Sequence, residues 1–197
     1  MSIYDFKPRF QNLLRPTVRK LHARGITANQ VTLFACAVSV ALGVLLTVLA
    51  AKSWLFIMLP LWMFVRMALN AMNGMLAREF GQQSRLGGYL NEITDVVADA
   101  ALYLPFAFVA PFSPLAAGLF IFFATLSEMC GALGQVYGNG RRYDGPLGKS
   151  DRAFAMGVLA LCHALFAPLP AWFAVVMWIL VVLLVMTCWQ RVRRGLA

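Results

Sequence analysis

The sequence predicts an all-α integral membrane protein, with six transmembrane helices behind an N-terminal amphipathic surface helix and both termini cytoplasmic. Three observations predict it. Of the 197 residues, 61% are hydrophobic and only 13% charged, against roughly 25% charged and 45–50% apolar in a soluble domain. Mean hydropathy is +0.73, more apolar surface than a soluble domain of this length hides. The basic residues gather in alternate connections between apolar runs. This composition excludes disorder, a collagen-like chain, a coiled coil and a small disulfide scaffold.

The first 30 residues are basic and mixed, with no apolar stretch of the kind a cleavable signal needs. From Tyr4 to about Ala23, Phe6, Phe10, Leu13, Leu14, Val18 and Leu21 recur at helical intervals with basic residues between them. That spacing predicts a helix lying on the cytoplasmic leaflet. Thr27 or Asn29 caps the first span.

About 20 apolar residues cross the roughly 30 Å of hydrocarbon in a bilayer. Residues 31–51 are uncharged, residues 53–77 are interrupted only by Arg66, and residues 86–110 by Glu92, Asp95 and Asp99. Residues 113–136 carry Glu128 alone. Residues 153–190 form 38 uncharged positions, too long for one span, and Pro168-Leu169-Pro170 divides them because proline cannot donate to a helix ladder. Pro111 to Pro114 separates the third and fourth spans in the same way. The expected organisation is a cytoplasmic amphipathic juxtamembrane segment (1–30), a six-helix transmembrane domain (31–190) and a basic cytoplasmic tail (191–197).

Six spans place both ends on one side, and Lys and Arg choose the side. The two tails, the connection holding Arg78 and Arg85, and the one holding Arg141, Arg142, Lys149 and Arg152 carry 15 of the 17 basic residues. Both ends are therefore expected in the cytoplasm, and the net charge of +9 needs no nucleic acid. Cys36, Cys130, Cys162 and Cys188 all fall within spans without metal-ligand spacing and read as small buried residues. His163 is isolated and reads as a packing or hydrogen-bonding residue.

Ionisable residues inside spans cost about 2.5–3.5 kcal/mol each on insertion scales and mark function. Asn91, Asp95 and Asp99 recur at i, i+4 and i+8, one face of the third span, with Glu92 beside them. Arg66, Asn70, Asn73 and Ala77 share a face of the second. Asp95 lies roughly 13 Å into its span at 1.5 Å per residue, a depth suited to work between headgroups and cytosol. Oxygen ligands from two helices suit a hard divalent cation, which neutralises a pyrophosphate during phosphoryl transfer. Glycines such as Gly74, Gly87 and Gly88 let a nucleotide or a neighbouring helix come close. The alternative on these residues alone is helix packing, with the carboxylates paired to Arg66.

These residues resemble the motif of the CDP-alcohol phosphatidyltransferase family, D-x2-D-G-x2-A-R-x8-G-x3-D-x3-D. The sequence reads Asn70-Ala-Met-Asn73-Gly74-Met-Leu-Ala77-Arg78, eight residues, then Gly87-Gly-Tyr-Leu-Asn91-Glu-Ile-Thr-Asp95. Every spacing is kept, as are Gly74, Ala77, Arg78, Gly87 and Asp95, while asparagine stands at the other three aspartate positions. The resemblance implies transfer of a phosphatidyl group from CDP-diacylglycerol, or a similar CDP-linked lipid, to an alcohol with release of CMP. It implies Mg2+ or Mn2+ as cofactor, with Asp95 as metal ligand and general base, and Asn70, Asn73 and Asn91 at metal-ligand positions. Gly74, Ala77, Arg78 and Gly87 would line the nucleotide pocket.

Three asparagines remove three negative charges from the usual four carboxylates. Asp99 and Glu92 could restore two of them, and Arg66, one turn before Asn70, could stand in for one cation; a weaker or single-metal site is expected. Arg141, Arg142, Lys149 and Arg152 are expected to bind the phosphates of the donor or of a phosphorylated acceptor. The acceptor is a small alcohol, with a lean toward a phosphorylated one. Arg66 is a candidate partner for Glu128. The family implies a homodimer among membrane lipids, in a bacterial inner membrane, with the active site facing the cytoplasm. Two alternatives are a silent member that binds CDP-lipid or a membrane partner, and a small transporter; the transporter does not explain the motif spacing.

Overall fold

A computed structural model describes residues 3–138 and 140–196, with side chains from Phe10 onward. Among these residues the chain is all helical: seven α-helices, two short 3-10 segments and no strand. They are α1 (Ile3–Ala23), α2 (Ala28–Val48), α3 (Met58–Glu79), α4 (Arg85–Tyr103), α5 (Pro114–Tyr137), α6 (Lys149–Phe166) and α7 (Phe173–Gly195). The 3-10 segments are Ser53–Ile57, before α3, and Leu104–Phe108, after α4. Four helical stretches are long and apolar enough to cross a membrane: Ala28–Val48, Ser53–Glu79, Pro114–Tyr137 and Phe173–Gly195. The other two expected spans are α4 and α6. Both are helices, but Glu92, Asp95 and Asp99 in α4 and Lys149, Asp151 and Arg152 in α6 dilute their apolar character. The chain is a membrane protein by its four apolar helices.

The chain divides into two compact units, one of residues 1–40 and 62–98, the other of residues 41–61 and 99–197. In the first, Val18 of α1, Ala28 and Val31 of α2, and Met72, Met75 and Leu76 of α3 are buried together, with Leu14 and Leu21 against them. Part of the apolar face of α1 thus packs within its own protein, while Leu13, Arg19 and Lys20 stay exposed. The side chains of Phe6, Lys7 and Arg9, part of the expected amphipathic pattern, lie outside the described residues. Thr27, not Asn29, caps α2. The Gln30 backbone N–H donates to Thr27 Oγ1 at 3.2 Å, and the Thr27 backbone N–H donates to Gln30 Oε1 at 2.9 Å, a reciprocal capping box.

In the second unit α5 packs along α7. Gly43 lies so close to Ala101 that an added Cβ would fall on its backbone carbonyl. An edge-to-face set joins Phe56 to Phe106 and Phe106 to Phe112, with the His163 ring edge-on to Phe56 at 4.7 Å. His163 therefore packs, as its isolation suggested. The prolines end their helices where expected: α6 stops at Phe166 and α7 starts at Phe173, and α5 begins at Pro114 with Ser113 Oγ accepting from the Ala116 N–H. All four cysteines are free.

Candidate functional site

The motif positions of the first unit come together on α3 and α4. Helical repeat places Arg66, Asn70, Asn73 and Ala77 on one face of α3, and Asn91 and Asp95 one turn apart on α4. Arg66 is buried, and its Nη2 donates to Asp95 Oδ1 at 2.9 Å and to the Asp95 backbone carbonyl at 3.2 Å. The Asn70 amide also donates to Asp95 Oδ1, at 3.4 Å. The Asn73 amide donates to Asn91 Oδ1 at 3.2 Å. The four motif positions are half-buried.

The expected nucleotide-lining residues sit beside this cluster. The space a Cβ would take at Gly74 holds the Arg78 guanidinium, so the glycine lets that arginine fold back over α3. At Gly87 the same space holds Asn29 Oδ1 and Ser84 Oγ, and the Gly87 N–H donates to Ser84 Oγ at 2.9 Å. Ala77 is half-buried near the α3 terminus and Arg78 is exposed.

This donor set departs from the four carboxylates that the resemblance implies for Mg2+ or Mn2+. A hard cation needs converging oxygens and, for tight binding, several carboxylates. Here one carboxylate is already neutralised by a guanidinium, and two amides present N–H groups toward the oxygens of Asp95 and Asn91. Among the described residues no group of three His, Cys, Asp or Glu could hold a metal ion.

The second unit holds a separate polar cluster. Arg152, with no exposed surface, donates from Nη1 to Ser127 Oγ at 3.1 Å and from Nη2 to Glu128 Oε1 at 2.8 Å. Its Nη2 is also 3.6 Å from Asp99 Oδ2. Arg141 Nη2 donates to Glu128 Oε2 at 3.1 Å, and Arg191 Nη1 to Glu128 Oε1 at 3.3 Å and to the Ser127 carbonyl. The partners of Glu128 within this unit thus include Arg141, Arg152 and Arg191. Arg142 Nε and Arg194 Nη1 both donate to Asp144, at 2.8 and 2.7 Å. The Arg194 hydrogen bond first, with Arg142 after it, holds the Asp144 carboxyl below the usual carboxylate range.

The basic connection is seated by backbone contacts. The Arg142 N–H donates to the Gly131 carbonyl at 3.1 Å and the Leu147 N–H to Thr187 Oγ1 at 3.1 Å. Gly145, at φ +118°, lies against Thr187 where a side chain would collide. Of the four expected phosphate-binding residues, Arg141 and Arg152 share Glu128 and Arg142 takes Asp144. Lys149 is half-buried at the start of α6. Sequence reasoning missed Arg191. Position 191 was expected to open a cytoplasmic tail, yet α7 continues to Gly195 with Arg191 only 2% exposed.

No protein-family model matches the chain. The inner membrane protein YnbA of Escherichia coli (strain K12) is 46% identical over 193 residues, covering 98% of this chain and 96% of YnbA. The chain belongs to the YnbA family. Its fold is that of phosphatidylinositol phosphate synthase PgsA1 of Mycobacterium tuberculosis, a CDP-alcohol phosphatidyltransferase. The crystal structure of PgsA1 with CDP-DAG bound aligns at a TM-score of 0.73 with 25% identity, covering 91% of this chain and 92% of that one. The PgsA1 complex with manganese and citrate aligns at a TM-score of 0.73 with 23% identity, covering 91% and 87%.

Proposed function

We propose that this member of the YnbA family is a phosphatidyltransferase of the inner membrane. It takes the phosphatidyl group of CDP-diacylglycerol, or of a similar CDP-linked lipid, and passes it to a small alcohol with release of CMP. The carrying observation is that Asn70 of α3 hydrogen-bonds Asp95 of α4 and Asn73 of α3 hydrogen-bonds Asn91 of α4, at the family's motif spacing. The shared fold with a synthase crystallised with CDP-DAG supports the donor class.

In this reading the acceptor oxygen attacks the phosphorus that carries diacylglycerol. The bond from that phosphorus to the bridging oxygen breaks, CMP leaves with the bonding electrons, and the hydroxyl proton passes to the Asp95 carboxylate. Gly74, Ala77, Arg78 and Gly87 line the nucleotide side. Arg141, Arg142, Lys149 and Arg152 serve the phosphates of the donor or of a phosphorylated alcohol; three guanidiniums on Glu128 leave that cluster suited to an anion. Six spans, both termini in the cytoplasm and a site open to the cytosol complete the reading, supported by the distribution of Lys and Arg. A homodimer follows from the family alone. The Mg2+ or Mn2+ that the resemblance implies is the part with which the side chains of this cluster disagree.

A second reading has one observation in its favour. Asp95 Oδ1, an atom that would take the hydroxyl proton, already accepts from Arg66 and Asn70. A member that binds CDP-lipid without turning it over would keep that arrangement. Release of CMP from CDP-diacylglycerol, scanned over glycerol phosphate, inositol phosphate, serine and glycerol, separates the two: release above an Asp95→Ala control supports the transferase, and binding without release supports the silent member.

A further inference from the structure

We infer that Asp144 is a positioning residue for the phosphate site of the second unit: it holds the segment Arg141–Asp144 so that Arg141 and Arg191 both face Glu128. The inference deepens the proposed reading of that cluster as a seat for phosphate, and rests on it. Residue 144 is gripped three times. Its carboxylate accepts from Arg142 Nε at 2.8 Å and from Arg194 Nη1 at 2.7 Å, and its backbone carbonyl accepts from Arg191 Nε at 3.2 Å. The third contact reaches the buried cluster itself. Arg191, 2% exposed, is held at Nε by Asp144 and at Nη1 by Glu128 and the Ser127 carbonyl. A guanidinium is a rigid plane, so holding it at both edges fixes the direction in which it can meet an anion.

The backbone contacts leave this task to the side chain. The segment is anchored on α5 at residue 142, where the N–H donates to the Gly131 carbonyl and the arginine stem fills the space beside Gly134. It is anchored on α7 at residues 145 and 147, which both meet Thr187. Asp144 stands between the two anchors, and Arg142 and Arg194 clamp its carboxylate from the segment and from α7. Arg141, on the near side, delivers Nη2 to Glu128 Oε2 at 3.1 Å. Charge alone gives Asp144 the opposite role. A carboxylate beside a phosphate site repels the ligand, and neutralising it strengthens binding. Positioning and charge therefore predict opposite signs for the same substitution.

The probe is inorganic phosphate, exchanged for chloride at constant ionic strength, with the thermal midpoint of the full-length protein in detergent reporting binding. Wild type should gain midpoint with phosphate in a saturable way. D144N and D144S should each bind phosphate at least fivefold more weakly, and D144E should recover part of the loss. R194Q should weaken phosphate in the same direction. D144N/R194Q should be no weaker than D144N, because both residues act through one clamp. With Arg194 largely exposed, the clamp is a surface one and the variants should fold; either neutral variant alone gives the sign. Phosphate binding unchanged or tightened in D144N or D144S overturns the inference, and so do losses that simply add in the double variant. No phosphate-dependent shift in wild type overturns it together with the phosphate site. CMP release from CDP-diacylglycerol then still judges the transferase reading by itself.

Discussion

Arg152 and Glu128 meet at 2.8 Å in the second unit, an arginine with no exposed surface against a carboxylate that also receives Arg141 and Arg191. With Asp99 3.6 Å from Arg152, five charged side chains share that place because each offsets the desolvation of another. Removing Glu128, which touches all three guanidiniums, is costly, since breaking a buried pair leaves uncompensated charge worth about 3–5 kcal/mol.

Glu128→Ala should therefore lower the thermal midpoint of the detergent-solubilised protein by the equivalent of about 3 kcal/mol. Glu128→Gln, which keeps hydrogen-bond acceptance but not charge, should lose less. Equal midpoints for wild type and Glu128→Ala would show the cluster to be solvated rather than buried.

The close approach at Gly43 predicts a second effect. An alanine there places its Cβ on the Ala101 backbone carbonyl, and backbone cannot move aside as a flexible side chain does. Overpacking of this kind costs typically 1–3 kcal/mol. Gly43→Ala should lower the midpoint by that amount, and Gly43→Val by more. At Gly118, where an added Cβ meets nothing, alanine should be neutral or stabilising.

Asp144 predicts a pH dependence. Its carboxyl is held below the usual range by Arg194 and Arg142, so it binds its proton more readily in the unfolded chain. The stabilisation is complete above the unfolded value of about 3.9 and fades as pH falls through the lowered folded value. With Arg194 largely exposed, the gain is a surface one of about 0.2–1 kcal/mol. Wild type should exceed Asp144→Asn in midpoint by a constant amount from pH 5 to 7, and the gap should shrink below about pH 4. A gap that persists unchanged at pH 2 would assign the effect to packing instead.

Much of this was legible in the sequence wherever the signal is local. The helix breaks at Pro111 and Pro168 follow from proline's missing N–H, and Thr27 with Gln30 is a spacing a helix start imposes. The grouping of Asn70 with Asp95 was readable because helical repeat fixes which side chains share a face, and Arg66 falls one turn before Asn70 by the same rule. The partners of Glu128 were not legible. Arg152 and Arg191 lie 24 and 63 positions away along the chain, and nothing local announces a pairing over that separation. Arg191 was hidden for a second reason: after a long apolar run, a basic residue looks like the topological anchor that commonly sits there. The apolar face of α1 was visible, but its periodicity is the same whether Val18 faces acyl chains or α3.

The decisive experiment is CMP release from CDP-diacylglycerol by the full-length protein in mixed micelles, measured against Asp95→Ala with the same set of acceptors. The expected result is release with at least one acceptor that falls at least a hundredfold in Asp95→Ala. Release identical in the two proteins, or absent from both with every acceptor, would contradict a transferase built on α3 and α4.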